Sequence, residues 1–215
     1  APAASALIGA ECGNCEGSGT DDDLDAVCED QDSSEQKMMD SRDFKQTQGE
    51  CSAEMSTVPL VRRDVTVCGL NFVQLLWSYD AVLAHTSATD QGVCTTGPRN
   101  WNGATKLGAL LVRCKKHLSG KRVLELGCGC GLSGIIAGQF AAEVVLTDYS
   151  KDVLSLAHYN VAANKGSRQS TRYTVAALPW SIDGRTEDSA LGVFDVIIGS
   201  ELIYHMTDCT ELLCT

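Results

Sequence analysis

The chain has 215 residues, 44% hydrophobic and 21% charged, which fits one globular domain with a buried core and an appendage. No apolar run approaches the roughly 18–20 residues a membrane helix needs. The net charge of −11 argues against a basic surface built for phosphate backbones.

The charge is uneven. Residues 1–55 carry 14 acidic side chains against Lys37, Arg42 and Lys45, which accounts for the whole excess, while residues 56–215 balance 14 acidic with 14 basic side chains. With Asp21-Asp22-Asp23, Ser33-Ser34-Glu35-Gln36 and few large apolar residues, the segment 1–55 reads as acidic and disordered. Cys12-Gly13-Asn14-Cys15 has the spacing of half a zinc site, but the second pair is missing, so no metal is expected. Eleven cysteines is an odd count, and six of them (Cys68, Cys94, Cys114, Cys128, Cys130, Cys209) lie in or beside apolar segments. That pattern predicts reduced, core-filling thiols and an intracellular protein.

From Pro59 the texture changes. Val65, Val67, Leu70, Phe72, Leu75 and Trp77 surround Cys68-Gly69-Leu70-Asn71, a β-hairpin signal. A helix is predicted over 104–118, with Leu107, Leu110, Leu111 and Cys114 on one face. Residues 56–120 thus form a hairpin-and-helix extension. Over 121–215 strands and helices alternate. Strands are predicted at Arg122–Leu126, Val144–Thr147, Thr171–Ala177 and Val193–Gly199. Helices are predicted over Leu132–Phe140 and after Ser150, a capping residue followed by Asp152. This alternation predicts an α/β fold with a parallel sheet that binds ligands at its carboxyl end.

The strongest motif is Leu124-Glu125-Leu126-Gly127-Cys128-Gly129-Cys130-Gly131, a strand running into alternating glycines and then a helix. Gly129, Gly131 and Gly134 also match the dinucleotide pattern G-x-G-x-x-G. A pyrophosphate needs bare helix amides and no nearby anion, so Glu125 argues for a cationic nucleoside such as S-adenosylmethionine. Asp148, ending the second strand, can accept from both ribose hydroxyls of either cofactor. Gly199-Ser200-Glu201-Leu202-Ile203-Tyr204 follows the fourth strand and places a carboxylate and a phenol three apart. Asn160 and Asn164 read as structural or capping residues, and the four histidines show no metal spacing. Cys128 and Cys130 read as small loop residues, although a helix N-terminus can lower a thiol's pKa.

These motifs, with Trp101 ahead of the helix, Leu146-Thr147-Asp148-Tyr149-Ser150 and Leu178-Pro179-Trp180, resemble family 16 methyltransferases. These are seven-β-strand, S-adenosylmethionine-dependent enzymes that mostly methylate lysines in other proteins. The resemblance spans roughly Val65 to Leu213. It implies a Rossmann-like methyltransferase fold and a set of roles. Trp101 packs at the methionine end of the cofactor, Gly127, Cys128 and Gly129 line it with backbone, and Asp148 holds the ribose. Trp180 lies by the adenine and Ser200 touches the cofactor. Glu201 and Tyr204 stand at the substrate amine. Most lysine-directed members carry Asp where this chain has Glu201, and a histidine-directed branch shows Ser-Glu-x-x-Tyr. Lysine is the acceptor expected, with histidine or a small-molecule amine as alternatives. A dinucleotide-dependent oxidoreductase and a non-catalytic interaction module are the rival classes.

The chain ends at Thr215, just past the fourth strand, whereas the family fold continues. A sequence truncated there is expected, with that strand as an exposed edge, and the first residue, Ala1 in place of Met, agrees. The protein is expected to act as a monomer on a protein substrate, without nucleic acid or membrane partners, in the cytoplasm and also the nucleus.

Overall fold

A computed structural model of the chain describes residues 37–39, 60–78, 96–166, 170–181, 191–203 and 209–214. Most of the acidic segment 1–55, together with Tyr204, lies outside them. Within that segment, where disorder is expected, Lys37–Met39 forms a short strand, β1, antiparallel to Leu60–Arg62.

β2 (Leu60–Val67) and β3 (Leu70–Trp77) make the expected hairpin, paired from Leu60↔Trp77 to Val67↔Leu70. The two-residue turn holds Cys68 at φ 49° and Gly69 at φ 78°. Two successive positive φ values give a turn whose twist matches that of the strands. Gly69 takes this conformation without a Cβ penalty, and Cys68 is the residue that carries strain.

The predicted helix 104–118 is two helices, α1 (Asn102–Arg113) and α2 (Lys115–Leu118), divided at Cys114. Its apolar face differs in part from the one expected. Leu111 is buried and Leu107 packs against the core, but Leu110 is 45% exposed, and Gly108 and Ala109 complete the buried face. Small residues let two helices approach closely: a Cβ on Gly108 would collide with the Cδ1 of Ile136 in α3 (Leu132–Ala137).

The second sheet is parallel throughout. β4 (Arg122–Glu125), β5 (Glu143–Asp148), β6 (Arg172–Ala177) and β7 (Val196–Ile198) lie in the order β6-β5-β4-β7. Val123, Val144 and Val196 are in register across three of them. β4 and β5 are buried almost throughout, as a sheet covered on both faces requires. After β5, α4 (Lys151–Asn164) starts at Ser150, whose hydroxyl accepts from the Val153 amide at 3.5 Å. α5 (Cys209–Cys214) is largely exposed.

Val67 and Phe72 of the hairpin and Ala109 of α1 belong to the same buried cluster as Val123, Ile136 and Val144. The hairpin is therefore packed into the core of the parallel sheet. Burial of each of the Val, Ile and Phe side chains stabilises the fold by roughly 1.5–3 kcal/mol. Among the described residues β7 is an edge, with Ile197 57% exposed. The chain leaves β4 towards β5 and β6 on one side and returns to β7 on the other. This reversal opens a crevice at the carboxyl ends of β4 and β7, where open α/β sheets bind ligands.

Candidate functional site

The loop after β4 forms one wall of that crevice. Gly127, Gly129 and Gly131 hold φ values of 56°, 53° and 81°, a left-handed series that side chains disfavour. The Leu126 amide donates to the Ile198 carbonyl at 2.9 Å and the Cys128 amide to the Thr147 carbonyl at 2.8 Å. The loop thus hangs between the ends of β7 and β5.

Glu125 does not face the ligand side. It is buried beneath the loop, where its Oε2 accepts from the Gly134 amide at 3.0 Å. Gly134 is in the first turn of α3, so the carboxyl oxygen takes one of the helix's unpaired amides. Any Cβ at Gly134 would collide with that oxygen and with Leu146. The last glycine of the apparent dinucleotide pattern therefore admits a carboxylate of the chain itself, where a pyrophosphate would need a free amide. Burial pushes the Glu125 carboxyl up to about 8, with the bond from Gly134 opposing the shift.

Asp148 is 7% exposed at the end of β5. Its Oδ2 accepts from the Gly129 amide at 3.1 Å and its Oδ1 from the Ser150 amide at 3.1 Å. Burial raises its pKa and these backbone donors oppose the shift. Each oxygen keeps a lone pair for a further donor. The Cys128 thiol moves opposite to the helix-N-terminus expectation. Burial, then the nearby Glu125 and Asp148 carboxylates, push its pKa well above the ordinary value, which makes it an inert space-filler.

Trp180 is half-buried beyond β6, which is pinned to β5 by the Leu178 amide on the Asp148 carbonyl at 2.9 Å. A Cβ on Gly127 would stand 3.5 Å from the Trp180 ring and 2.7 Å from Leu202 Cδ2. Leu202 therefore packs directly over Gly127, with the Trp180 ring at its side, an approach that only a glycine permits. Ser200 is half-buried and follows β7.

Trp101 and Glu201 meet at the start of α1. Trp101 is its N-cap residue and supplies no side-chain cap; its Nε1 donates instead to the Thr96 carbonyl at 3.0 Å. Arg99 stacks over the ring at 5.8 Å from its centroid. The missing cap comes from Glu201, whose Oε1 accepts from the Gly103 amide at 3.3 Å. Glu201 itself holds φ 53°. A Cβ on Gly103 would lie 2.6 Å from Glu201 Cγ. Gly103→Ala is therefore expected to destabilise the wild-type chain. In a Glu201→Ala background the same change should stabilise α1 by about 0.5–1 kcal/mol, the ordinary helical preference. Thermal melts of the four variants measure this reversal of sign; equal shifts in both backgrounds contradict the contact.

The contacts thus join Gly129 to Asp148 and Gly127 to Trp180 and Leu202, while Glu201 meets α1 beside Trp101; Cys128 lies within the loop, Ser200 follows β7, and Tyr204 lies outside the described residues. Sequence reasoning missed Gly103, Leu202 and Gly97. The Gly97 carbonyl accepts from the Cys130 thiol at 3.3 Å and would stand 3.1 Å from a Cβ on Gly129, so it lies directly over the loop. The Gly97-Pro98 turn was the available signal. For Gly103 there was none.

A family model described as lysine methyltransferase matches residues 86–215. Protein N-lysine methyltransferase METTL21A of Mus musculus is 35% identical over 115 residues, 54% of this chain and 51% of that protein. EEF1A lysine methyltransferase 3 of Xenopus tropicalis is 32% identical over 104 residues, 48% of this chain and 44% of that protein. Histidine protein methyltransferase 1 homolog of Dictyostelium discoideum is 33% identical over 124 residues, 56% of this chain and 38% of that protein. The chain spans about half the length of the curated relatives it matches.

Proposed function

The chain belongs to the lysine methyltransferase family, and on that premise we propose that it transfers a methyl group from S-adenosylmethionine to a nitrogen of a protein side chain, with lysine as the acceptor. The observation that carries the cofactor reading is Glu125 on the Gly134 amide. The helix end that would hold a pyrophosphate is occupied by the Glu125 carboxyl group, while the acidic side chains of Asp148 and Glu201 suit a cationic nucleoside.

S-adenosylmethionine supplies a methyl group already activated by its sulfonium. The protein's work is then alignment and charge placement more than acid–base catalysis. Asp148 holds the ribose hydroxyls. Gly127, Cys128 and Gly129 present backbone to the cofactor, and Trp180 lies by the adenine. Trp101 and Ser200 close the other side. Glu201 orients the incoming amine at the mouth. A lysine attacks only as the neutral amine, and a partly desolvated mouth favours that form while a carboxylate alone opposes it. In this reading Tyr204 hydrogen bonds the acceptor beside Glu201. The protein acts as a monomer in the cytoplasm and the nucleus, without nucleic acid. The eleven cysteines, of which the six described are free thiols, support a reducing compartment.

A thermal shift with S-adenosylhomocysteine, with NAD in parallel, tests the cofactor. At 100 times its dissociation constant a ligand stabilises the fold by about 2.7 kcal/mol, which is roughly 5–10 °C for a chain of this size. A shift with S-adenosylhomocysteine alone is expected; a shift with NAD alone overturns the reading. Labelled methyl transfer to cell-extract protein, followed by hydrolysis, then separates methyl-lysine from methyl-histidine. The Dictyostelium relative named for histidine makes that comparison pointed.

A further inference from the structure

β3 has two edges. One pairs with β2 over its whole length. Along the other, the peptide groups of Val73 and Leu75 meet side chains of α4. Asn160 accepts from the Leu75 amide at 2.6 Å and donates to the Leu75 carbonyl at 3.1 Å. Asn164 accepts from the Val73 amide at 2.7 Å and donates to the Val73 carbonyl at 2.6 Å. A carboxamide offers the same donor and acceptor as a peptide group, so each asparagine stands in for one residue of an absent strand. The repeats match: alternate residues of a strand lie about 6.7 Å apart, and residues four apart on a helix rise by about 6 Å.

The two asparagines differ in their second N–H. Asn164 donates its own back to the Asn160 carbonyl at 2.6 Å, within the helix. Asn160 donates to the Cys130 carbonyl at 2.9 Å, inside the glycine loop. Cys130 lies next to Gly129, whose amide holds Asp148. Asn160 is wholly buried, so a lost partner there is not replaced by water.

We propose that Asn160 is a positioning residue of the cofactor site: it fixes the Cys130 carbonyl to the docked hairpin and so sets the Gly129 amide and the Asp148 carboxylate. The hairpin 60–77 becomes a working part of the site. This rests on the reading that the loop after β4 binds S-adenosylmethionine.

Asn164 is the matched control, since it docks the hairpin in the same way without touching the loop. Asn160→Ala and Asn164→Ala should both lower the melting temperature of the full chain. Only Asn160→Ala should weaken S-adenosylhomocysteine binding, by about 10-fold in calorimetry, with Asn164→Ala within about twofold of wild type. Where Asn160→Ala does not fold, Asn160→Asp keeps the acceptor for Leu75 but cannot donate to Cys130, and the same loss is expected. In the wild-type chain, linkage requires that S-adenosylhomocysteine slow hydrogen exchange at the Leu75 amide. Equal affinities for the two alanine variants, or no change in Leu75 exchange on saturation, overturn the positioning role. A wild-type chain that binds no S-adenosylhomocysteine overturns the cofactor reading, and the positioning role with it.

Discussion

Asp148→Ala is expected to raise the dissociation constant for S-adenosylhomocysteine about 100-fold. Two ribose hydroxyls donating to one carboxylate make charge-assisted bonds of about 1.5–3 kcal/mol each, and a loss near 3 kcal/mol is a factor of about 100. The site is well prepared for this. Asp148 is buried, and its oxygens are already oriented by the Gly129 and Ser150 amides. Its removal also leaves those two amides without an acceptor, so the free protein loses stability as well. Asp148→Asn separates the contributions, because it keeps the size and one acceptor oxygen while removing the charge. An intermediate loss of about 10-fold is expected for it. Calorimetric titration of the three proteins measures both. An alanine variant binding within twofold of wild type removes Asp148 from the cofactor site.

Glu125 should dominate the pH dependence of stability between about pH 5 and 8. Its folded pKa, about 8, stands above the ordinary 4.5, so the folded state binds the proton more tightly than the unfolded one. Its contribution is full below about 4.5 and is lost as the pH rises through about 8. The difference of about 3.5 units corresponds to about 5 kcal/mol over the whole window, or roughly 10–20 °C in melting temperature. Asp148, also raised by burial, adds in the same direction. His158 acts oppositely: burial lowers its pKa, so its contribution is lost as the pH falls. Glu125→Gln isolates the carboxyl, since the carboxamide oxygen still accepts from Gly134 and carries no titrating proton. The melting temperature of wild type is expected to fall on going from pH 5 to 8.5, and that of Glu125→Gln to stay nearly flat. Parallel slopes in the two proteins contradict the buried, protonated state of Glu125.

The parallel sheet was legible because its determinants are local. Val144-Val145-Leu146 is a continuous apolar run, Ser150 caps the helix that follows, and the alternating glycines after β4 require left-handed backbone wherever they occur. Asp148 was legible for the same reason, as an acid closing a buried strand. What was not legible joins distant parts of the chain. Glu201 caps α1 across 98 residues, and Asn160 reaches Leu75 across 85. Periodicity reads along a single element and does not see such partners. The error at Leu110 has another source. The eye follows large apolar residues, but α1 packs on α3 at Gly108, where the lack of a side chain permits the approach to Ile136. Glu125 departs from the charge argument: buried and protonated, it opposes a phosphate by filling the helix end from below the loop, where its oxygen takes the Gly134 amide.

The asparagine pair on β3 also sets a schedule. β3 is complete at Trp77, but α4, which covers its second edge, closes only at Asn164, 164 − 77 = 87 residues later. At about 5–20 residues per second of synthesis, that interval is roughly 4–17 s. A hairpin closes within microseconds, so during translation it exists long before its cover does. An open strand edge is a template for pairing with other chains. The nascent hairpin thus carries an open, pairing-competent edge for that interval, and the edge closes only after the second asparagine has been added.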